Sequence, residues 1–292
     1  MTVVAAGVRG RTPYDVGRMR VPERSLHLLR DLVHVHTGLF YGEERLMFLQ
    51  DRLCGRALEC GFDSLLDYYY LLKYDDAAEQ EWMHAIDALA VQETYFWRES
   101  DQLRALTDGI LPLLAARRAG PIRIWSLPCA SGEEPLSIAM ALTEAGWFSR
   151  AAIELHASDA SEAALRRARA GRYGPRAFRQ LPEALRDRYF ELVEGSKDWT
   201  VRPELHARVR SWTRVNAVRS AERAPHAGSD VIFCRNLFIY FDHPTVARVV
   251  DGFADTMPSP AFLCVAAAES LMRLTTRFEL QDIAGAYIYV KP

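Results

Sequence analysis

The chain has 292 residues, 49% hydrophobic and 25% charged, which gives room for one large domain, or a small one beside a medium one, with a sizeable core. A net charge of −2 argues against a nucleic-acid binder, and the longest charge-free apolar run, around 261–268, is too short to span a bilayer. Five scattered cysteines (Cys54, Cys60, Cys129, Cys234, Cys264) show no CxxC spacing, so they read as buried free thiols in a reducing cytoplasm.

In chain order, residues 1–20 are rich in Gly, Arg and Pro and are expected to be loose, without the basic start or apolar core of a signal peptide. Residues 21–90 predict a small all-α domain, with helices near 23–35, 43–59, 64–73 and 79–90 punctuated by Gly38, Gly42 and Gly61. The second helix carries Arg45, Arg52 and Arg56 on a stripe bordering Leu46, Leu49, Leu53 and Ala57. Such a stripe is either a solvated face or a docking surface for an acidic helical partner. His34 and His36 point apart on a helix and have no third ligand nearby, so no metal site is expected.

A linker at 91–100, VQETYFWRES, has three consecutive aromatics that fit neither helical nor strand periodicity, followed by Arg98. An aromatic, cationic connector at a domain junction suits a small-molecule cleft, or holds two domains together, or both. Residues 101–292 then predict an α/β domain.

Its first unit is IRIWSLPCASGEEPLS (122–137), a strand, a small-residue loop and a helix, with Ile138, Ala141, Leu142 and Ala145 forming one apolar face and Gly146 the stop. The loop has no phosphate-binding lysine. Glu133 and Glu134 instead direct negative charge at the ligand position, which suits a ligand with a cationic part and repels pyrophosphate. The alternative is helix capping: Ser131 and Glu134 have capping-box spacing, in competition with Pro135 as the first helical residue. The next strand, 153–159, ends in Asp159. That carboxylate is placed for ribose hydroxyls, while Ser161 is better placed to cap the following helix at 162–170.

Residues 175–214 change pattern. Prolines interrupt short strand-like pieces at 189–193, 199–201 and 209–215, and the region reads as an insertion with a small antiparallel sheet. The apolar run 230–236 is what a parallel strand buried on both faces looks like, and it ends in Arg235 and Asn236. A helix from His243, a strand at 261–267 and two strand-like pieces at 278–280 and 286–290 complete a mostly parallel sheet with a late antiparallel pair.

Four of these stretches, 92–99, 125–140, 157–173 and 230–241, together resemble the chemotaxis-receptor glutamate O-methyltransferases, the CheR family, and the resemblance runs over nearly the whole chain from about Leu26. It implies a class I methyltransferase-like, doubly wound, mostly parallel sheet behind an N-terminal all-α domain. It also implies S-adenosylmethionine as methyl donor, with S-adenosylhomocysteine as product, and a cytoplasmic enzyme acting on the acidic methylation helices of a chemoreceptor. By position it implies cofactor contacts for Gln92, Thr94, Arg98, Glu134, Asp159, Asn216, Ala217, Arg235 and Asn236, with Arg235, Asn236 and Tyr240 near the transferred methyl group. Arg98 and Tyr240 are expected to position the reactants, through a guanidinium fork and a phenol hydroxyl. Under this resemblance Arg45, Arg52 and Arg56 gain weight as receptor-docking residues.

The chain departs from the family pattern at several places: Gln92 stands for a usual Asn, Leu127-Pro128 for two small residues, and Leu136 for a Tyr. The sequence 266–269, AAAE, replaces Gly-His-Ser-Glu. The bulkier 127–128 pair is expected to bear on cofactor affinity, and the short insertion argues against docking of a receptor tail peptide. The same fold acting on another acceptor, and a non-catalytic cofactor-binding adaptor, are the competing expectations.

Overall fold

The computed structural model describes Met19, residues 21–117 and residues 120–292, so the stretch expected to be loose, 1–20, lies outside the described residues except for Met19. The chain divides into two units, Met1–Leu32 with Tyr41–Leu89, and Val33–Phe40 with Ala90–Pro292.

The first unit is helical among its described residues. α1 (Glu23–Thr37) begins in it, and α2 (Leu46–Glu59), α3 (Leu65–Tyr74) and α4 (Ala78–Leu89) follow, with a 3-10 turn at Glu43–Arg45 leading into α2. Leu49, Leu53, Cys54 and Ala57 of α2 are buried, as are Tyr68 and Leu72 of α3 and Trp82, Ala85, Ile86 and Leu89 of α4. Each large apolar side chain so buried stabilises by about 1.5–3 kcal/mol. The buried polar groups are matched: the Trp82 indole N–H donates to the Leu72 carbonyl at 3.1 Å, and the Tyr68 hydroxyl to Glu81 at 2.7 Å.

The second unit is built on a seven-stranded sheet. Its strands are β1 (Ile122–Ser126), β2 (Ile153–Asp159), β6 (Val209–Arg214), β7 (Val231–Phe233), β8 (Ala261–Cys264), β9 (Glu279–Ile283) and β10 (Ala286–Lys291), in the order β6-β2-β1-β7-β8-β10-β9. The pairs from β6 to β8 are parallel, and β10 runs antiparallel to both β8 and β9. Alternation sorts the side chains onto two faces. Ile122, Ile124, Val231, Phe233, Phe262 and Cys264 join one core with the helix Glu133–Glu144, while Trp125, Leu127, Ile232 and Leu263 join the other with the helix His243–Thr256. This is the doubly wound, mostly parallel architecture expected from the sequence.

The insertion differs from expectation. A three-stranded antiparallel sheet is present, ordered β3 (Arg172–Tyr173), β5 (Trp199–Val201), β4 (Phe190–Leu192), but residues 209–214 are not in it. They are β6, paired parallel with β2 in register Asp159↔Arg214. As the sheet's edge strand, β6 keeps Arg210 and Thr213 exposed, which gives it the mixed alternation of an antiparallel strand. The strand expected over 261–267 also stops early, at Cys264, because the chain turns at Ala266 and Glu269 N–H bonds back to the Ala266 carbonyl at 2.8 Å.

Candidate functional site

Strand order reverses between β1 and β7, and ligands of such sheets lie beyond the carboxyl ends of the strands at that point. There the structure opens a cleft lined among others by Thr94, Tyr95, Arg98, Pro128, Glu134, Arg235 and Asn236.

The loop after β1 builds one wall. Leu127 points into the core at 1% exposure and its N–H donates to the Phe233 carbonyl at 2.9 Å; Pro128 lines the cleft. The bulk of Leu127 is thus taken up by core packing. Gly132 adopts φ +100°, and a Cβ there would meet the Tyr173 hydroxyl at 2.9 Å, so both conformation and space require glycine.

The helix begins right after it at Glu133, which corrects the expected start: Pro135 is the third helical residue, and no capping box with Glu134 forms. The Ser131 hydroxyl instead donates to Glu133 at 2.8 Å. A left-handed glycine can open the helix two residues before the proline, and first-turn N–H groups lack intrahelical partners anyway, so Pro135 is tolerated there.

Glu134 is released from capping and turns into the cleft. Its carboxylate accepts from the Ser126 hydroxyl at 2.7 Å and lies 3.4 Å from an Arg235 Nη1. Burial pushes its pKa up to about 7, against the opposing pull of Arg235 and the Ser126 hydrogen bond. Arg235, 3% exposed at its side chain, also pairs with Glu99 at 3.2 Å and donates to the Arg98 carbonyl at 2.9 Å.

The connector divides its aromatics. Phe96 is fully buried among Tyr173, Phe178 and Phe190 in the second unit's core, at ring separations of 4.8, 5.2 and 4.9 Å. Tyr95 stays at the cleft, with the Arg98 guanidinium 5.3 Å and that of Arg179 3.7 Å from its ring centre. Trp97 and Glu99 take positive φ, 67° and 51°, and the Trp97 N–H is held by the Ser137 hydroxyl at 2.9 Å. This anchoring aims Thr94 and Arg98 at the cleft.

Thr94, Arg98, Glu134, Arg235 and Asn236 therefore come together, whereas Gln92, Asp159, Asn216, Ala217 and Tyr240 stand outside the cleft's lining. The Gln92 amide donates to the Ser161 hydroxyl at 3.2 Å. Asp159 accepts from the Ala130 N–H and the Ser161 N–H, both at 2.8 Å, tying the β1 loop to the end of β2. Ser161 caps the helix Glu162–Ala170, accepting from the Ala164 N–H at 3.1 Å. The Asn216 amide donates to the His36 carbonyl at 2.9 Å and its oxygen accepts from Val218 at 3.2 Å; Ala217 is buried beside it. Tyr240 ends the 3-10 turn Phe238–Tyr240 that follows β7.

Sequence reasoning missed Ser126, Glu99 and Glu269. A serine closing an otherwise apolar strand was a usable signal for Ser126. Nothing local marks Glu99, whose partner lies far away in sequence.

In the first unit Arg45 and Arg52 are exposed, with Arg52 lying 5.0 Å from the Phe48 ring centre. Arg56 is not available as the third member of that stripe, because it donates to both Glu81 oxygens at 3.0 and 2.7 Å, is 15% exposed, and also pairs with Glu59. Among the described residues no group of three or more His, Cys, Asp or Glu side chains is placed to hold a metal, and no helix is long and apolar enough to cross a membrane.

Two family descriptions match the chain, "CheR methyltransferase, all-alpha domain" over residues 24–90 and "CheR methyltransferase, SAM binding domain" over residues 92–286. The chain is 34% identical over 267 residues to chemotaxis protein methyltransferase 2 of Vibrio cholerae, covering 90% of this chain and 91% of that one. It is 31% identical to the chemotaxis protein methyltransferase of Klebsiella aerogenes, covering 90% and 89%. It is 36% identical over 231 residues to the probable biofilm formation methyltransferase WspC of Pseudomonas putida, covering 77% and 52%.

Proposed function

The chain belongs to the CheR methyltransferase family and carries that family's S-adenosylmethionine-binding domain, and from that premise we propose that it methylates glutamate side chains on the acidic cytoplasmic helices of a chemoreceptor, giving methyl esters. The observation that carries this reading is the meeting of opposite charges around one cleft: the buried, incompletely compensated Glu134 and the guanidinium of Arg98. A carboxylate in that setting suits a cationic cofactor without phosphates.

S-adenosylmethionine, when bound, supplies a methyl group on a positively charged sulfur. Glu134 would face its cationic amino-acid end, Asp159 the ribose, and Asn216 and Ala217 the adenine. Gln92, Thr94, Arg235 and Asn236 would complete the hold. Asp159 accepts from the Ala130 N–H on one oxygen and from the Ser161 N–H on the other, which fixes the carboxylate at the end of β2.

An acceptor glutamate, with an ordinary pKa of about 4.3, is already ionised at neutral pH, so no side chain has to remove a proton. The chain's task is alignment and water exclusion. Arg98 orients the acceptor carboxylate through its planar fork and Tyr240 through its hydroxyl. Too tight a grip would blunt the nucleophile, so their contribution is orientation. Arg45 and Arg52 are the docking residues this reading retains for an acidic receptor helix.

The deciding experiment transfers labelled methyl from S-adenosylmethionine into receptor fragments and asks for release as methanol in alkali, which separates an ester from an amine product. Arg98→Ala and Tyr240→Phe are expected to lose turnover, and wild-type rates in both would remove their assignment. A second reading, the same ester chemistry on the receptor of another signalling system, is favoured by the likeness to the probable biofilm formation methyltransferase. It predicts label in that receptor and none in chemoreceptors. Cofactor binding without any transfer would instead indicate an adaptor.

A further inference from the structure

The loop after β7 carries Arg235, Asn236 and Tyr240, yet its shape is awkward for the backbone. Asn236 sits at φ 59°, in the left-handed region that side-chain-bearing residues seldom adopt. The 3-10 turn that follows, Phe238–Tyr240, has no side-chain cap from the residue before it, so its leading N–H groups need another acceptor.

That acceptor is one carboxylate from a distant part of the chain. Glu269, 7% exposed, receives the Phe238 N–H at 2.7 Å and the Ile239 N–H at 3.3 Å on one oxygen. Its other oxygen receives the Asn236 N–H at 2.8 Å and the Ala266 N–H at 2.9 Å. A carboxylate has about four lone-pair positions, and all four are used by backbone donors. The neighbouring turn is held in parallel, since the Ala267 N–H donates at 3.3 Å to Glu99, the carboxylate that also pairs with Arg235.

We infer that Glu269 is a positioning residue for methyl transfer: by collecting the N–H groups of Asn236, Phe238 and Ile239 it fixes the loop that presents Asn236 and Tyr240 to the reactants. The inference deepens the proposed function and rests on it for the acceptor, whereas the loop clamp itself does not depend on which acceptor is used.

The chemistry makes the isosteric change diagnostic. A glutamine has one oxygen able to accept two bonds, and its NH₂ would face two backbone donors with nothing to accept. Glu269→Gln therefore breaks two of the four bonds without changing volume, and Glu269→Asp restores the acceptors on a shorter stem. Displacement of reacting groups by about 1 Å costs up to about a hundredfold in rate. We expect kcat with a glutamate-bearing receptor fragment to fall at least about tenfold in Glu269→Gln and to recover in part in Glu269→Asp. S-adenosylhomocysteine affinity by calorimetry, to which Arg235 and Asn236 of this loop contribute beside Glu134 and Asp159, should fall by clearly less than kcat does.

Hydrogen exchange at the Asn236, Phe238 and Ile239 amides supplies a readout independent of the acceptor. They should be protected in the wild type and exchange faster in the glutamine variant. Equal protection in both proteins overturns the clamp. Unaltered kcat, or loss of cofactor affinity as large as the loss of kcat, overturns the positioning role. A wild type that labels no receptor defeats the proposed acceptor instead, and exchange at the three amides then decides the clamp.

Discussion

Glu134 is held at the wall of the cleft between Ser126 and Arg235, and its protonation is the most direct handle on the cofactor site. Its pKa is raised from 4.5 to about 7, so in the unliganded protein this group contributes stability below about 4.5 that is lost as pH rises through about 7. A cationic ligand requires the ionised form. Affinity for S-adenosylmethionine should then rise with pH by about tenfold per unit up to about pH 7 and level off above it. Calorimetry across pH 5.5–8.5 checks this, and Glu134→Gln should bind more weakly with the slope abolished. A slope that persists in the variant assigns the titration to another group. For Asp159→Ala we expect a loss of about 1.5–3 kcal/mol of cofactor binding, the scale of charged hydrogen bonds. Unchanged affinity would remove the ribose role.

At the scale of the element, α2 shows how one charged row can serve two ends. Arg56 is bound into α4 through Glu81, whose pKa is held below its ordinary value; burial works the other way, but the hydrogen bonds from Arg56 and Tyr68 outweigh it. The stability carried by Glu81 is therefore present above its unfolded pKa and lost as pH falls through the depressed folded value. Removing one partner of such a buried pair costs about 3–5 kcal/mol, so Arg56→Ala should melt several degrees lower. Arg45→Glu and Arg52→Glu are expected to leave the melting temperature nearly unchanged and to raise KM for the receptor while sparing cofactor binding. Wild-type KM in both would remove the docking surface from α2 and the turn that precedes it, where Arg45 lies. Sequence periodicity placed all three arginines on one stripe, but Glu81, 25 residues downstream of Arg56, decides which are free to dock.

For the molecule as a whole, the cofactor is a folding partner as well as a reactant. S-adenosylhomocysteine at a hundredfold its Kd should add about 2.7 kcal/mol to the stability of the unit that binds it. For a unit of roughly 200 residues that corresponds to a rise of roughly 5–10 °C in melting temperature. The shift should shrink in Glu134→Gln and Asp159→Ala, and an unshifted wild type would mean that the cleft does not bind the cofactor.

By itself the sequence determined the helical unit, the run of strands and helices behind it, the glycine loop and the acids that follow it, because periodicity, caps and breakers are local properties of the chain. It also carried the family resemblance, which depends on residue order alone. Only the tertiary structure decided that 209–214 is the parallel edge of the main sheet, since an edge strand and an antiparallel strand share the same alternation and differ only in their neighbour. The same holds for Leu127, whose side chain is absorbed by the core, and for Arg56, Glu99 and Glu269. A charge announces its type in the sequence, but its role is fixed by the partner that folding brings within 3 Å or so of it, and that partner is distant in the chain.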